Sequence, residues 1–428
     1  MKIKSLALRN FRSYEELKLE LSPGINLLAG ENAQGKTNIL EAVFYTALAR
    51  SHRTSDDRDL VKNGRGEASV DIVLDRLGVE NNLSFHIYRQ GRRKIIVNGA
   101  PVTLRQHVGS VNIVCFSPED LYLVKGAPAV RRRFLDAELS QASAAYFHDF
   151  DEYVKILNQR NSLLKSIRER ITGLSDDEYG SEGCEGGYSA GGIREKTAGF
   201  DRESPDDLLE VWDSNLADRA AKVAVRRLNA IKRLKRVAGE IAGNLTRGAD
   251  VLDMEYEQIN LKQDDTGRIM MYEAVKEVKE SSGDIFNDSL IKKIADGYLA
   301  ELRLRRRRDI FRGNTSIGPH RDDIKITVNG LDLRDFGSQG QQRTGALCLK
   351  LAEVEFLRQM AGEYPLLLLD DVMSELDRGR RLELLEYIRR SDIQSIITAT
   401  DKAYFEGAIG SIQAVFKVKN SIVEKVSF

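Results

Sequence analysis

The chain has 428 residues, 42% of them hydrophobic, which is enough to bury a large core and predicts two lobes. Lysine plus arginine equals aspartate plus glutamate at 65 each, so net charge singles out no polyanionic partner, and any basic surface has to be local. Cys115, Cys184 and Cys348 lie far apart, which excludes a disulfide framework and a cysteine zinc site; the N-terminus carries no signal-like run, and the densest apolar stretch, Leu366–Leu369, is far too short to cross a membrane, so a cytoplasmic location is expected.

From the N-terminus, Lys2–Leu8 and Leu17–Leu21 alternate apolar and polar residues and predict strands. The apolar run Ile25–Ala29 leads into a glycine loop, and Thr37–Ala49 has helical spacing. Ser69–Asp75 and Leu83–Arg89 alternate again, Ile95–Val97 runs into the hairpin signal Asn98-Gly99, and Val111–Phe116 suits a buried strand. From Val130 to Val237 the pattern is helical. It breaks at about 172–205, a glycine- and acid-rich stretch too poor in apolar residues to pack, read as a disordered surface loop. Val251–Gln258 predicts a strand and Met270–Arg308 a return to helix. Asp323–Val328 is a strand ending in a second Asn-Gly, Asn329-Gly330. Gln341–Ala361 is a helix, Leu366–Leu369 a buried strand, Leu382–Arg390 a helix, and Ser395–Thr398 and Ala414–Val418 the last strands. Strand-rich α/β segments therefore stand at both chain ends, around a helical insertion, and the ends must meet if they share a sheet.

The glycine loop reads Gly30-Glu31-Asn32-Ala33-Gln34-Gly35-Lys36-Thr37, the spacing G-x-x-x-x-G-K-T, with Asn38 following. Glycines between a strand and a helix let backbone N–H groups converge on phosphate oxygens, and the helix adds the positive end of its dipole. Lys36 would reach the β- and γ-phosphates of a nucleotide, and the Thr37 hydroxyl would bind Mg²⁺. Such a site also needs a carboxylate at the end of a buried strand, and Leu366–Leu369 is followed by Asp370-Asp371. Asp370 is the candidate metal ligand and Asp371 the group that polarises the attacking water. The alternatives are a glycine turn beside an ordinary lysine and two solvated acids.

A metal-binding aspartate so far from its phosphate loop resembles the ABC-type ATPases, in the branch that includes the structural-maintenance-of-chromosomes proteins and Rad50, whose ATPase head is split across the chain ends. Gly337-Ser338-Gln339-Gly340-Gln341-Gln342-Arg343 resembles the signature motif of that family. There Ser338, Gly340 and Gln341 would meet the γ-phosphate held by a second copy. Ser374-Glu375-Leu376-Asp377 looks like its D-loop. Phe11-Arg12-Ser13-Tyr14 looks like the N-terminal element whose arginine reaches the phosphates, which makes Arg12 a candidate. Three features depart from the pattern. Asp371 stands where a glutamate is usual, no Q-loop glutamine follows Phe116, and Ile397-Thr398-Ala399-Thr400-Asp401 lacks the usual histidine. Thr400 or Asp401 would take part of that role, and slow turnover is expected.

The insertion is too short for the long coiled coils of that branch. Ser51-His52-Arg53-Thr54, Phe116-Ser117-Pro118-Glu119-Asp120-Leu121, Lys125-Gly126-Ala127-Pro128 with Arg131–Asp136, and Gly318-Pro319-His320-Arg321-Asp322-Asp323 closely resemble the RecF family of bacterial recombination mediators over nearly the whole chain. The resemblance implies an α/β fold: an ABC-type P-loop ATPase head split across residues 1–125 and 313–428, with a mostly helical lobe at 126–312. It also implies ATP and Mg²⁺ as cofactors, an ATP-dependent homodimer, and binding of duplex DNA or single/double-strand junctions without sequence preference. Weak DNA-stimulated hydrolysis and work with RecR and RecO to load RecA complete that expectation. The rival reading is the ATPase subunit of an ABC membrane transporter. Candidate DNA-facing charges are Arg219–Arg236, with eight Lys/Arg and no acid, Arg303–Arg308, with five arginines in six positions, Arg131–Arg133 and Arg50–Arg53. Solvated helix faces would look the same. His320 reads as a turn-organising residue rather than a proton carrier.

Overall fold

A computed structural model of the chain describes residues 1–172, 205–258, 266–405, 410 and 412–426. The stretch 173–204, expected from its composition to be disordered, lies outside the described residues. The elements follow in chain order. First come β1 (Lys2–Phe11), β2 (Tyr14–Glu20), β3 (Ile25–Ala29), α1 (Lys36–Leu48), β4 (Glu67–Arg76), β5 (Val79–Tyr88), β6 (Lys94–Val97), β7 (Ala100–Val102), a short α2 (Leu104–His107) and β8 (Ile113–Phe116). The helical stretch holds α3 (Tyr122–Lys125), α4 (Pro128–Ala142), α5 (Ala144–Thr172) and α6 (Pro205–Leu245), then β9 (Leu252–Glu257), α7 (Thr266–Glu280) and α8 (Asp288–Arg312). The last part holds β10 (Asp323–Val328), β11 (Leu331–Asp332), α9 (Leu333–Phe336), α10 (Gln339–Ala361), β12 (Leu366–Asp370), α11 (Val372–Glu375), α12 (Arg378–Arg390), β13 (Ser395–Ala399), β14 (Ile412–Lys419) and β15 (Ile422–Val426).

Three sheets result: an antiparallel β2-β1-β4-β5-β6-β7, a small β11-β10-β9, and a central β15-β14-β3-β13-β12-β8. The chain ends do meet in the central sheet. There β3 lies between β14 and β13, parallel to both, with β12 next and β8 at the edge. This sheet is covered on both faces, which is why β12 is an unbroken leucine run. Leu366 and Leu368 join the core shared with α1 and the antiparallel sheet, while Leu367 and Leu369 join the core under the long helices. Both Asn-Gly signals are two-residue hairpins, pairing Val97 with Ala100 and Val328 with Leu331.

The helical expectation for Met270–Arg308 needs correction, because α7 and α8 are separate. Asn287 caps α8, its side chain accepting from Leu290 N. Lys232 of α6 donates to the carbonyls of Val278, Ser281 and Gly283, satisfying the end of α7. A lysine from another helix makes that break, so periodicity alone did not reveal it.

Candidate nucleotide site

The loop between β3 and α1 is held in shape from three sides. Gly35 starts α1 with φ 105°, and a side chain there would approach the Tyr14 hydroxyl to 2.8 Å, while Tyr14 Oη itself donates to the Gly35 carbonyl. A Cβ at Gly30 would lie 2.3 Å from the Val418 carbonyl on β14. The β14–β15 turn grips the loop from outside: Asn420 N donates to Gln34 Oε1 (2.7 Å), Ser421 N to the Gln34 carbonyl (3.1 Å), and Ser421 Oγ to Ser13 Oγ (2.7 Å). Lys36, buried, donates to the carbonyls of Gly30 (2.6 Å) and Glu31 (2.7 Å). Burial pushes its ammonium pKa down, against the pull of Asp371 and Asp370.

The two acids sit across the loop, on β12. Thr37 Oγ1 donates to Asp370 Oδ1 at 2.9 Å, joining residues 333 positions apart. Asp370 stands in register with Thr398 on β13, and Thr398 Oγ1 donates to the same Asp370 oxygen at 2.8 Å. Thr398 also accepts from Asp371 N at 2.8 Å, fixing the backbone where Asp371 turns left-handed at φ 53°. Asp371 Oδ1 is buried with no hydrogen-bond partner among the described residues, and burial raises the carboxyl pKa. A loop shaped for backbone approach, a hydroxyl–carboxylate pair and one buried carboxylate oxygen left open suit a nucleotide phosphate chain with a hard cation. Thr398, absent from the sequence-based candidates, touches both acids; only the β12–β13 register reveals it. Thr400 is exposed, and its side chain makes no hydrogen bond among the described residues.

Arg12 binds α1 rather than the loop. Its Nε and Nη2 donate to Glu41 at 2.9 and 2.7 Å, and Nη1 to the Asp59 carbonyl. Burial works to raise the Glu41 pKa, but hydrogen bonds from Arg12 and Ser51 and the charges of Arg12 and Arg53 hold it below the usual range. Arg53 reaches onward to Asn38 Oδ1 at 3.2 Å. Ser338 caps α10, accepting from Gln341 N, and Gln341 Nε2 donates to Asp250. Ser338 and Gly340 are exposed. None of the described hydrogen bonds joins them to residues 30–38 of the same chain.

The basic runs are largely committed to the fold. Of the eight cations from Arg219 to Arg236, Arg227 is buried on Asp136 and Lys232 caps α7. Arg219 and Arg226 meet Asp149, and Lys222, Arg233 and Lys235 meet Asp218, Asp284 and Asp253. Arg131 is paired with Asp323 at 2.8 Å, and Arg132 donates to the Asp322 carbonyl. His320 is half-buried between Tyr153 Oη (2.5 Å) and the Thr315 carbonyl (3.1 Å). Desolvation pushes its pKa down to about 3. It is neutral at physiological pH and organises the Gly318–Asp323 turn.

The profile of the "RecF/RecN/SMC N terminal domain" family matches residues 2–424. A "DNA replication and repair protein RecF" of Listeria monocytogenes serotype 4b is 37% identical over 426 residues, covering 99% of this chain and all of the relative. One from Geobacillus thermodenitrificans is 35% identical over 423 residues, 99% of each chain. A solved structure of the recombination mediator protein RecF-ATP in the RecFOR pathway superposes with a TM-score of 0.79 at 32% identity, over 100% of this chain and 98% of that one. An Smc head domain from Pyrococcus furiosus, at 15% identity and TM-score 0.50 over 100% of this chain and 96% of that one, shares the fold. Alignment over nearly the full length, together with a split P-loop head, places the chain in the RecF family.

Proposed function

We propose that this chain is a nucleotide-switched, DNA-binding ATPase of recombinational repair. Two copies close head to head on ATP and clamp duplex DNA or a single/double-strand junction at gaps and stalled forks; slow, DNA-stimulated hydrolysis then releases it. Acting with RecR and RecO, it helps load RecA. The observation that carries this reading is a divided site. The phosphate loop and both acids are assembled in one chain, while Ser338 and Gly340 stand exposed at another helix terminus with no link to that loop. Each half is complete only against a second copy.

In this reading residues 30–38 cradle the phosphates with backbone N–H groups, and Lys36 turns from its own loop carbonyls onto the β- and γ-oxygens. Thr37 and Asp370 would hold Mg²⁺, which supplies charge neutralisation across the phosphates. Asp371 orients the attacking water, and Thr398 keeps Asp371 in place. Ser338, Gly340 and Gln341 of the partner copy close over the γ-phosphate. The test uses Asp371→Asn, which keeps the cradle but slows hydrolysis. With ATP and Mg²⁺ it should sediment as a stable dimer, and adding Ser338→Arg should return it to monomer. An Asp371→Asn chain that binds ATP and stays monomeric would overturn the head-to-head arrangement.

A further inference from the structure

Three helices of the molecule meet without filling the space between them. α6, α10 and α12 leave a cleft of about 390 Å³, at the low end of the ~300–1,000 Å³ usual for a binding cleft. Val237, Leu347, Leu351 and Leu384 are its buried floor, and Ile241 and Leu245, half-buried, extend that floor toward solvent. On α6 the lining residues Val237, Glu240, Ile241, Asn244 and Leu245 recur at i, i+3, i+4, i+7 and i+8. That spacing is the stripe a helix offers to a packing neighbour, and here it faces an open cleft.

The rim carries open negative charge. Glu240 on α6 and Glu383 on α12 are exposed and have no ion pair among the described residues. The other charged groups of the lining satisfy one another: Glu355 accepts from Arg358 (2.7 Å) and from the hydroxyls of Tyr387 (2.8 Å) and Tyr364 (3.3 Å), and Arg358 also lies over the Tyr364 ring. An acidic rim repels a nucleic acid. A hard cation needs oxygens converging on it, and no group of His, Cys, Asp and Glu among the described residues could hold a metal. An apolar centre within a polar, solvated rim is instead the anatomy of a protein–protein contact, where anchors at the centre supply affinity and rim charges select the partner. The partner that complements this cleft presents apolar side chains flanked by cations.

We propose that the cleft between α6, α10 and α12 docks an amphipathic, basic helical segment of a partner protein, with leucine-like side chains on the floor and lysine or arginine beside Glu240 and Glu383. Leu347 lies about 13 Å along α10 from the Ser338 cap, so this surface is distinct from the terminus that would meet a second copy, and the proposal does not depend on that reading. The probe is a labelled synthetic helical peptide with leucines at i, i+3, i+4 and i+7 and lysines flanking them, titrated against the full chain by fluorescence anisotropy. A second peptide has glutamates for the lysines, and a third has serines for the leucines. The wild-type chain should bind the lysine peptide and not the serine peptide. Glu240→Lys/Glu383→Lys should weaken the lysine peptide at least about tenfold, since two rim attractions become repulsions, and should favour the glutamate peptide, with Tm and ATP hydrolysis unchanged. A photo-crosslinker at a central leucine of the lysine peptide should mark α6, α10 or α12 of the wild-type chain, a readout that needs no variant to fold. Failure of the lysine peptide to bind, equal binding of the lysine and glutamate peptides, or cross-links confined to other elements would each overturn the proposal. A charge reversal that alters the sedimentation of the chain alone and leaves peptide binding untouched would also overturn it, and would assign the cleft to a contact between copies.

Discussion

Replacing Thr398 by valine removes one hydroxyl from a site with no exposure and keeps the side-chain volume. That hydroxyl donates to Asp370 and accepts from Asp371 N, both at 2.8 Å. Losing a hydrogen bond to a charged group costs about 1.5–3 kcal/mol, and leaving a buried amide unpaired costs about 1–3 kcal/mol more. The Thr398→Val chain should therefore lose roughly 3–5 kcal/mol of unfolding free energy, a large share of the ~5–15 kcal/mol typical of a domain. If part of that loss, on the order of 1.4 kcal/mol, is felt where Asp371 meets the water, turnover falls about tenfold. KM for ATP should move little, because the phosphate loop is untouched. Urea unfolding gives the first quantity and steady-state hydrolysis the second, and Thr398→Ser should recover most of both. A Thr398→Val chain that matches wild type in stability and kcat would refute the role given to this residue.

The remaining predictions concern other parts of the molecule. His320, with its folded pKa lowered to about 3 from 6.5, protonates more readily when unfolded, so its contribution is intact above pH 6.5 and is lost as pH falls toward 3. Unfolding free energy should drop by about 2 kcal/mol between pH 8 and 5 on this account, and His320→Gln should flatten that slope while lowering stability at pH 8. Gly30→Ala should weaken ATP binding by at least about tenfold, since its Cβ meets backbone rather than a movable side chain; calorimetric titration with ATP checks it. Ser421→Ala should raise the Kd for ATP a few-fold with little change in Tm, because its hydroxyl braces Ser13 beside the loop from an exposed turn.

The phosphate loop, the twin acids and the exposed α10 terminus were legible because each is a contiguous run whose residue types serve backbone geometry. Two pieces were not. Thr398 matters only through the register of β13 against β12, which no contiguous motif spells out, whereas the sequence points to Thr400 or Asp401 for the role of the usual histidine. The basic runs left two readings open for a related reason: helical spacing does not say which face is buried. Arg227 is buried on Asp136, with the Tyr146 and Tyr256 hydroxyls and the Pro319 carbonyl as its other partners. The Gly318–Asp323 motif, conspicuous in sequence, is likewise a buried network: Asp322 accepts from Tyr256, and the Pro319 carbonyl accepts from Arg227. Through these bonds it ties α5, α6 and β9 together.

The most direct test of the central claim, that one nucleotide switch is coupled to DNA, is steady-state ATP hydrolysis by the purified full chain with and without gapped duplex DNA, alongside Lys36→Arg. The account predicts slow hydrolysis that gapped DNA accelerates and that Lys36→Arg abolishes in both conditions. Hydrolysis that depends on Lys36 yet is indifferent to DNA at low salt would contradict the coupling and leave an ATPase without the clamp.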